Sequence, residues 1–124
     1  MIKANHMEID VDQTKEYYSR SNLEICDCDD CQHYYQKVKN AYREVDQFLN
    51  QFGIDILKPH ELMSYNDQQE LIYFACQYIV FGECANDFEE VIGDVKFIPA
   101  SSYPHTGIEE EHFVLEFGPI KLKK

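Results

Sequence analysis

The strongest constraint on this sequence is an amphipathic pattern that runs from about Asp30 to Phe52. Apolar residues recur there at alternating steps of four and three, the spacing that places them on one face of an α-helix. Asp29 is the predicted N-cap of this helix and Gly53 its left-handed C-terminal cap. The apolar stripe consists of Cys31, Tyr35, Val38, Tyr42, Val45, Leu49 and Phe52, widened by Tyr34, Ala41 and Phe48. Because such a face must be buried, the pattern predicts one long helix packed against another layer.

Several other segments have the patterns of β-strands. Apolar and acidic residues alternate from Met7 to Asp12, which predicts a half-exposed edge strand. Nearly every position between Glu70 and Phe81 is apolar, which predicts a central strand covered on both faces. The pair Gly93-Asp94 predicts a tight hairpin turn. Other expected elements are strands at Leu23–Cys26, Phe88–Ile92, Val95–Pro99 and Phe113–Phe117, and a short helical turn from Pro59 to Met63.

These elements together predict an α+β fold: a mainly antiparallel sheet of four to six strands with one long amphipathic helix packed on a face. The 124 residues are expected to form a single domain, 1–124, because one domain commonly has this size. The longest apolar run, Leu71 to Phe81, is far shorter than the roughly 20 residues that cross a bilayer. Residues 1–12 lack the pattern of a secretory signal. We therefore expect a cytoplasmic protein without a membrane segment, whose cysteines are mostly free thiols.

The chain is strongly acidic, with 11 Lys and Arg against 23 Asp and Glu and a formal net charge of -12. A field of this sign repels polyanions, which argues against nucleic acid as a partner. Between Asp67 and Glu116 the sequence has 11 acids and a single base, Lys96. The simplest interpretation is a solvated acidic surface, and the alternative is a docking surface for a basic partner protein. The second cover of the apolar central strand is expected to be either a loop layer or another copy of the chain, which would make the protein a homodimer.

The chemically distinctive segment of the sequence is C-x-C-x-x-C, formed by Cys26, Cys28 and Cys31. If the preceding strand extends this far, Cys26 and Cys28 point to the same face, and Cys31 follows in the first helical turn. Three soft ligands within six residues suggest a zinc site, but zinc requires four ligands. The candidates for the fourth are Cys76, Cys84, His60, His105 and His112. His33 is discounted because it lies about 200° around the helix from Cys31.

Two alternatives to a metal site remain open at the cysteines. In the first, Cys31 begins the apolar stripe and Cys26 packs beside it, as small hydrophobic residues in the core. In the second, the C-x-x-C segment from Cys28 to Cys31 is a thiol-redox site at a helix N-terminus. The carboxylates of Asp29 and Asp30 argue against the redox interpretation, because they are expected to disfavour the thiolate.

The segment from Leu23 through the three cysteines and the Tyr-rich helix to Lys58-Pro59 resembles a group of small uncharacterised bacterial proteins. The resemblance includes Phe48 to Asp55 and covers about a third of the chain. It implies a bacterial cytosolic setting. Since that group has no assigned activity, no catalytic residue carries over.

Two function classes follow from the sequence. No nucleotide-binding, nucleophile-elbow or H-E-x-x-H motif is present, so the sequence favours a protein without catalytic activity. The preferred interpretation is a small acidic binding or interaction protein. The alternative is a zinc or thiol protein centred on Cys26, Cys28 and Cys31.

Overall fold

The structure is a computed structural model that describes residues 2–4, 7–20, 23 and 25–124, with the backbone alone for residues 2–4. It contains three helices and eight strands within these residues. The helices are α1 (Val11–Tyr18), α2 (Asp29–Ala41) and α3 (Arg43–Asn50). The strands are β1 (Ile2–Ala4), β2 (Met7–Ile9), β3 (Glu61–Asn66), β4 (Glu70–Cys84), β5 (Glu90–Ile92), β6 (Val95–Pro99), β7 (His112–Gly118) and β8 (Ile120–Lys123). No helix of the described chain has the length and apolar character needed to span a membrane.

Strand β4 organises the sheet because it is long enough to pair with four other strands. Its residue Cys76 pairs with Leu62 of β3 on one edge and with Phe117 of β7 on the other. The remaining length of β4 pairs with β2 and β8. The sheet order is β1-β2-β4-β7-β6-β5, with β3 and β8 also on β4, and all pairs are antiparallel. The predicted α+β class is therefore confirmed. The predicted four to six strands were too few, because several short strands share β4.

The prediction of one long helix was wrong. The helix breaks at Tyr42, whose φ of -131° and ψ of 59° separate α2 from α3. Tyr42 leaves the helical conformation but keeps its place in the apolar stripe, and its hydroxyl accepts a hydrogen bond from the Lys121 N–H at 2.9 Å. Both halves of the stripe are still buried, through Val38 in α2 and Val45 in α3.

The inner face of β4 packs against α2 through tyrosines. The rings of Tyr34 and Tyr73 lie 5.0 Å apart. The hydroxyls of Tyr34 and Tyr78 are 2.6 Å apart, and Tyr78 donates to the Ile56 carbonyl at 2.6 Å. These polar atoms are completely buried but remain hydrogen-bonded, as a stable core requires.

The outer face of β4 is covered by the loop that follows β6. Gln77 donates to the Ser102 carbonyl at 3.0 Å, and the His60 ring lies 2.7 Å from the Pro104 carbonyl. Gln77 itself is fully buried. The prediction of a central strand covered on both faces is thus confirmed for this part of β4. Towards the start of β4, Phe74 is half exposed and contacts the exposed Tyr65.

The other local predictions had mixed outcomes. The hairpin at Gly93-Asp94 is confirmed, with Ile92 opposite Val95 and Gly93 in the left-handed region. The strand predicted from Met7 to Asp12 is confirmed only for Met7–Ile9, because Asp10 caps helix α1, which begins at Val11. The strand is not an edge, since β1 and β4 flank it. The helical turn predicted from Pro59 to Met63 is absent, because strand β3 begins at Glu61. Residues 23, 25 and 26 are not in a strand, and position 24 of that prediction lies outside the described residues.

The close approach of β4 to β2 generates the first testable prediction. Gly82 has a φ of 129°, and a Cβ there would collide with the Glu8 carbonyl oxygen. We expect Gly82→Ala to lower the free energy of unfolding by about 2 to 4 kcal/mol, measured by urea denaturation, because it combines a clash with backbone strain.

Gly107→Ala is the matched control, since Gly107 also has a positive φ of 69° but open space around the added methyl group. Its cost should be only about 1 kcal/mol, from backbone strain alone. Equal costs for the two variants would contradict the role assigned to the contact between β2 and β4.

Candidate metal centre

The three cysteines lie where an irregular segment enters α2. Cys26 and Cys28 precede the helix, and Cys31 is in its first turn. Cys28 is the N-cap residue, with the extended backbone (φ -66°, ψ 164°) that this position usually has. The predicted cap, Asp29, is instead the first helical residue. Asp29 and Asp30 therefore occupy the first turn, where the helix dipole favours acids.

The structure brings the three sulfurs together. The Sγ atoms of Cys26, Cys28 and Cys31 all lie within 4.8 Å of one another, and no other such group of three potential ligands occurs in the described part of the chain. The sequence argument for this convergence was only partly right. Cys26 and Cys28 do not share a strand face, and it is the turn into α2 that directs all three sulfurs to one point.

The cluster is buried at its base and open at its surface. The Cys31 side chain is buried at 7% exposure, whereas Cys26 and Cys28 are exposed. The Tyr35 hydroxyl donates to the Cys26 carbonyl at 2.8 Å, and the Cys28 N–H contacts the Cys26 sulfur at 3.5 Å. These contacts hold the irregular segment close to the start of the helix.

Two contacts from the sheet position the first turn of α2. The Tyr73 hydroxyl donates to the Asp30 carbonyl at 2.6 Å, and the Ser64 hydroxyl donates to the Asp30 carboxylate at 3.1 Å. Sequence reasoning did not identify these supporting residues, because Ser64 and Tyr73 are more than 30 positions away from the cysteines. The only local signal was Tyr35, one helical turn after Cys31.

The thiols of Cys28 and Cys31 differ in acidity. The pKa of Cys28 is lowered, first because the Cys31 backbone N–H faces the Cys28 sulfur and then because the thiols of Cys26 and Cys31 donate hydrogen bonds to that sulfur. The Cys28 side chain does not form a full capping hydrogen bond with the helix. The net direction is opposite to the one expected from Asp29 and Asp30, whose carboxylates are not among the causes of the shift. The pKa of Cys31 is raised, mainly by burial and then by its hydrogen bond to Cys28. The thiolate form is therefore made more accessible at Cys28 and less accessible at Cys31.

None of the predicted fourth ligands joins the cluster within the described residues. Cys76 is fully buried in the core. The His60 ring is bonded to Pro104, and both ring nitrogens of His112 lie 2.8 Å from other partners, the Thr106 hydroxyl and the Glu110 carbonyl. Cys84 and His105 are also outside the group. His33, discounted from the sequence, lies 2.8 Å from the Lys123 carbonyl oxygen.

Three convergent thiol groups can bind a soft metal ion. With zinc–sulfur bonds of about 2.3 Å at tetrahedral angles, the ligand sulfurs would be roughly 3.8 Å apart. The observed separations of up to 4.8 Å need to close by only about 1 Å. Rotation of the exposed Cys26 and Cys28 side chains, which are not held by core packing, can supply this closure.

No protein-family model, curated protein or solved structure matches this chain. The resemblance to small bacterial proteins consequently stays a prediction, and the case for a function rests on the geometry of the chain itself.

Proposed function

We propose that this protein binds a zinc ion through Cys26, Cys28 and Cys31. The observation that supports the proposal is the convergence of the three sulfurs to within 4.8 Å. Thiolates are the ligands that select zinc and other soft ions over magnesium or calcium. The role is one of binding, without a catalytic step assigned to the chain.

The burial of the cysteines favours a ligand role over simple packing. Cys31 alone is buried, so the interpretation of the cysteines as core residues accounts for only one of the three. Cys26 and Cys28 are exposed and contribute nothing to the hydrophobic core. Exposed thiols directed at a buried one form a preassembled ligand set, in which the pKa of the Cys28 thiol is lowered by the backbone N–H of Cys31.

A bound ion would also stabilise the fold locally. It would cross-link the irregular segment at residues 25–28 to the first turn of α2, which Asp30 anchors to the sheet. Because the unfolded chain does not hold the three sulfurs together, the free energy of metal binding adds to the free energy of unfolding.

The proposal predicts that zinc binding depends on each of the three cysteines. Protein purified without chelator, or reconstituted with zinc, should contain one equivalent of zinc by elemental analysis. Cys28→Ser should reduce the content to below about a tenth of an equivalent, because two thiolates hold zinc poorly when no further ligand joins them among the described residues. Zinc at 100 times its Kd should raise the free energy of unfolding of the unsubstituted protein by about 2.7 kcal/mol, and should not stabilise Cys28→Ser.

Cys84→Ser is the matched control, because Cys84 is only partly buried and lies outside the cluster. This variant should keep the full zinc content and the full stabilisation. A chain that takes up no zinc, or one in which Cys84→Ser and Cys28→Ser lose zinc equally, would contradict the proposed site.

A second candidate function, binding of a basic partner protein, is favoured by a group of carboxylates where β2, β4 and β7 meet. Glu8 pairs with Glu83 in the register of β2 and β4, and the Gly82 N–H donates to the Glu111 carbonyl. The pKa of Glu111 is raised, first by a hydrogen bond to the Glu83 carboxyl group and then by the charges of Glu83 and Glu8. A cationic partner side chain would relieve this repulsion.

The raised pKa of Glu111 predicts how stability depends on pH. A carboxyl group whose pKa is higher in the folded state makes folding less favourable as the pH rises through that pKa. Glu111→Gln should therefore unfold at a higher temperature than the unsubstituted protein at pH 7. The difference should vanish as the pH falls below the ordinary Glu value of 4.5, where the carboxyl group is protonated in both states.

Glu109→Gln removes an exposed acid two positions earlier and is the control for the loss of one negative charge. Thermal unfolding followed by circular dichroism at pH 4 and pH 7 checks the prediction. If both variants gave the same pH dependence, net charge and not the contact with Glu83 would be responsible.

A further inference from the structure

We infer that the three-cysteine site is a transfer site, which exchanges its metal ion with a thiol-bearing acceptor of positive charge. This inference rests on the zinc binding proposed above and concerns what completes the coordination of the ion. The observations behind it are the number of protein ligands, their exposure and the charges beside them.

No fourth ligand joins the three sulfurs among the described residues, which favours a fourth ligand supplied by another molecule. Structural zinc sites have four protein ligands, whereas sites that act on other molecules keep one position for an external ligand. The described residues bring three sulfurs together, and the imidazoles of His33, His60 and His112 lie within hydrogen-bonding distance of other groups. A water molecule or an incoming ligand would therefore complete the tetrahedron.

The exposure of the sulfurs shows from which side a ligand can approach. Cys31 is at the buried base of the cluster, and Cys26 and Cys28 are at the surface. An incoming thiolate can reach the ion past Cys26 and Cys28 without displacing any part of the core. These two exposed ligands can also rotate away one at a time, since neither is held by packing.

The charges at the site select the kind of acceptor. Asp27 and Asp29 are both exposed and each is adjacent to Cys28 in the chain. A zinc ion with three thiolates has a net charge of about -1, so the loaded site is negative even before these carboxylates are counted. Coulomb repulsion disfavours anionic ligands there, while a thiol carried on a basic surface is attracted.

The exchange is a ligand substitution in which atoms, protons and electrons balance. The acceptor thiolate forms a bond to zinc in the fourth position, and the bond to Cys26 or Cys28 then breaks. Two further substitutions complete the transfer. The ion keeps its charge throughout, no group is oxidised or reduced, and each proton lost by an acceptor thiol is taken up through water by a departing cysteine.

Zinc release in the presence of small thiols tests the inference. Zinc-loaded protein is mixed with an excess of a chromogenic chelator and with cysteamine, 2-mercaptoethanol or 3-mercaptopropionate, whose thiolate forms differ successively by one unit of charge. Release rates should rise in proportion to thiolate concentration. At low salt and equal thiolate concentration, cysteamine should act about tenfold faster than 3-mercaptopropionate, and the ratio should approach one at high salt.

The variant Asp27→Asn/Asp29→Asn should lose most of this charge selectivity while still binding one zinc. Asp94→Asn, which removes an exposed acid in the turn between β5 and β6, should keep the selectivity.

Release that does not depend on thiol concentration would overturn the inference, because the chain itself would then supply a closed site. Equal release rates with all three thiols would contradict the inference that the acceptor is positively charged. A protein that binds no zinc would instead contradict the proposed function, so the two failures are distinguishable.

Discussion

The contact between the tyrosines of α2 and β4 determines where the helix lies on the sheet. Tyr34 packs on Tyr73 and shares a buried hydrogen bond with Tyr78. Because each hydroxyl has its partner only in this register, a shift of α2 along β4 would leave polar atoms buried without partners, at a cost of about 1 to 3 kcal/mol each. Tyr73 also binds the Asp30 carbonyl, so the same interaction fixes the first turn of the helix.

The position of the first turn of α2 also determines where the cysteine cluster forms. Cys31 faces inward because it belongs to the same apolar stripe as Tyr34 and Val38, and its burial places its sulfur beneath the turn that carries Cys26 and Cys28. Core packing thus places one of the three sulfurs, and the irregular segment that enters α2 supplies the other two. Only the exposed side chains of Cys26 and Cys28 are free to rotate.

Much of the architecture could be predicted from the sequence because it depends on periodic patterns. The apolar stripe identified the buried face of α2 and α3, the continuous apolar run identified β4, and Gly93-Asp94 identified the hairpin. The helix break could not be predicted, since Tyr42 keeps the correct period and its backbone departs from the helix where its hydroxyl meets Lys121, 79 positions away. Periodicity describes which face is buried and gives no information about such distant contacts.

The candidate site shows the same division. Spacing alone indicated that Cys26, Cys28 and Cys31 could converge, and the fold brings them together, although by a helix-capping turn and not by a shared strand face. Spacing could not show that His60, His112 and Cys76 stay outside the cluster, because this depends on where the fold places them. The sequence could suggest a thiol of lowered pKa at a helix N-terminus, but not its causes, because these are hydrogen bonds whose geometry spacing does not specify: first from the Cys31 backbone N–H, then from the thiols of Cys26 and Cys31.

The attachment of α2 to strand β8 has a consequence for how copies of this chain behave beside one another. Within the described residues β8 pairs only with β4, so its other edge would expose unpaired backbone groups. Side chains of α2 occupy that edge: His33 and Lys37 contact the Lys123 carbonyl, and Tyr42 contacts Lys121. An edge occupied in this way offers no template for a strand from another molecule, so α2 protects this side of the sheet against edge-to-edge aggregation.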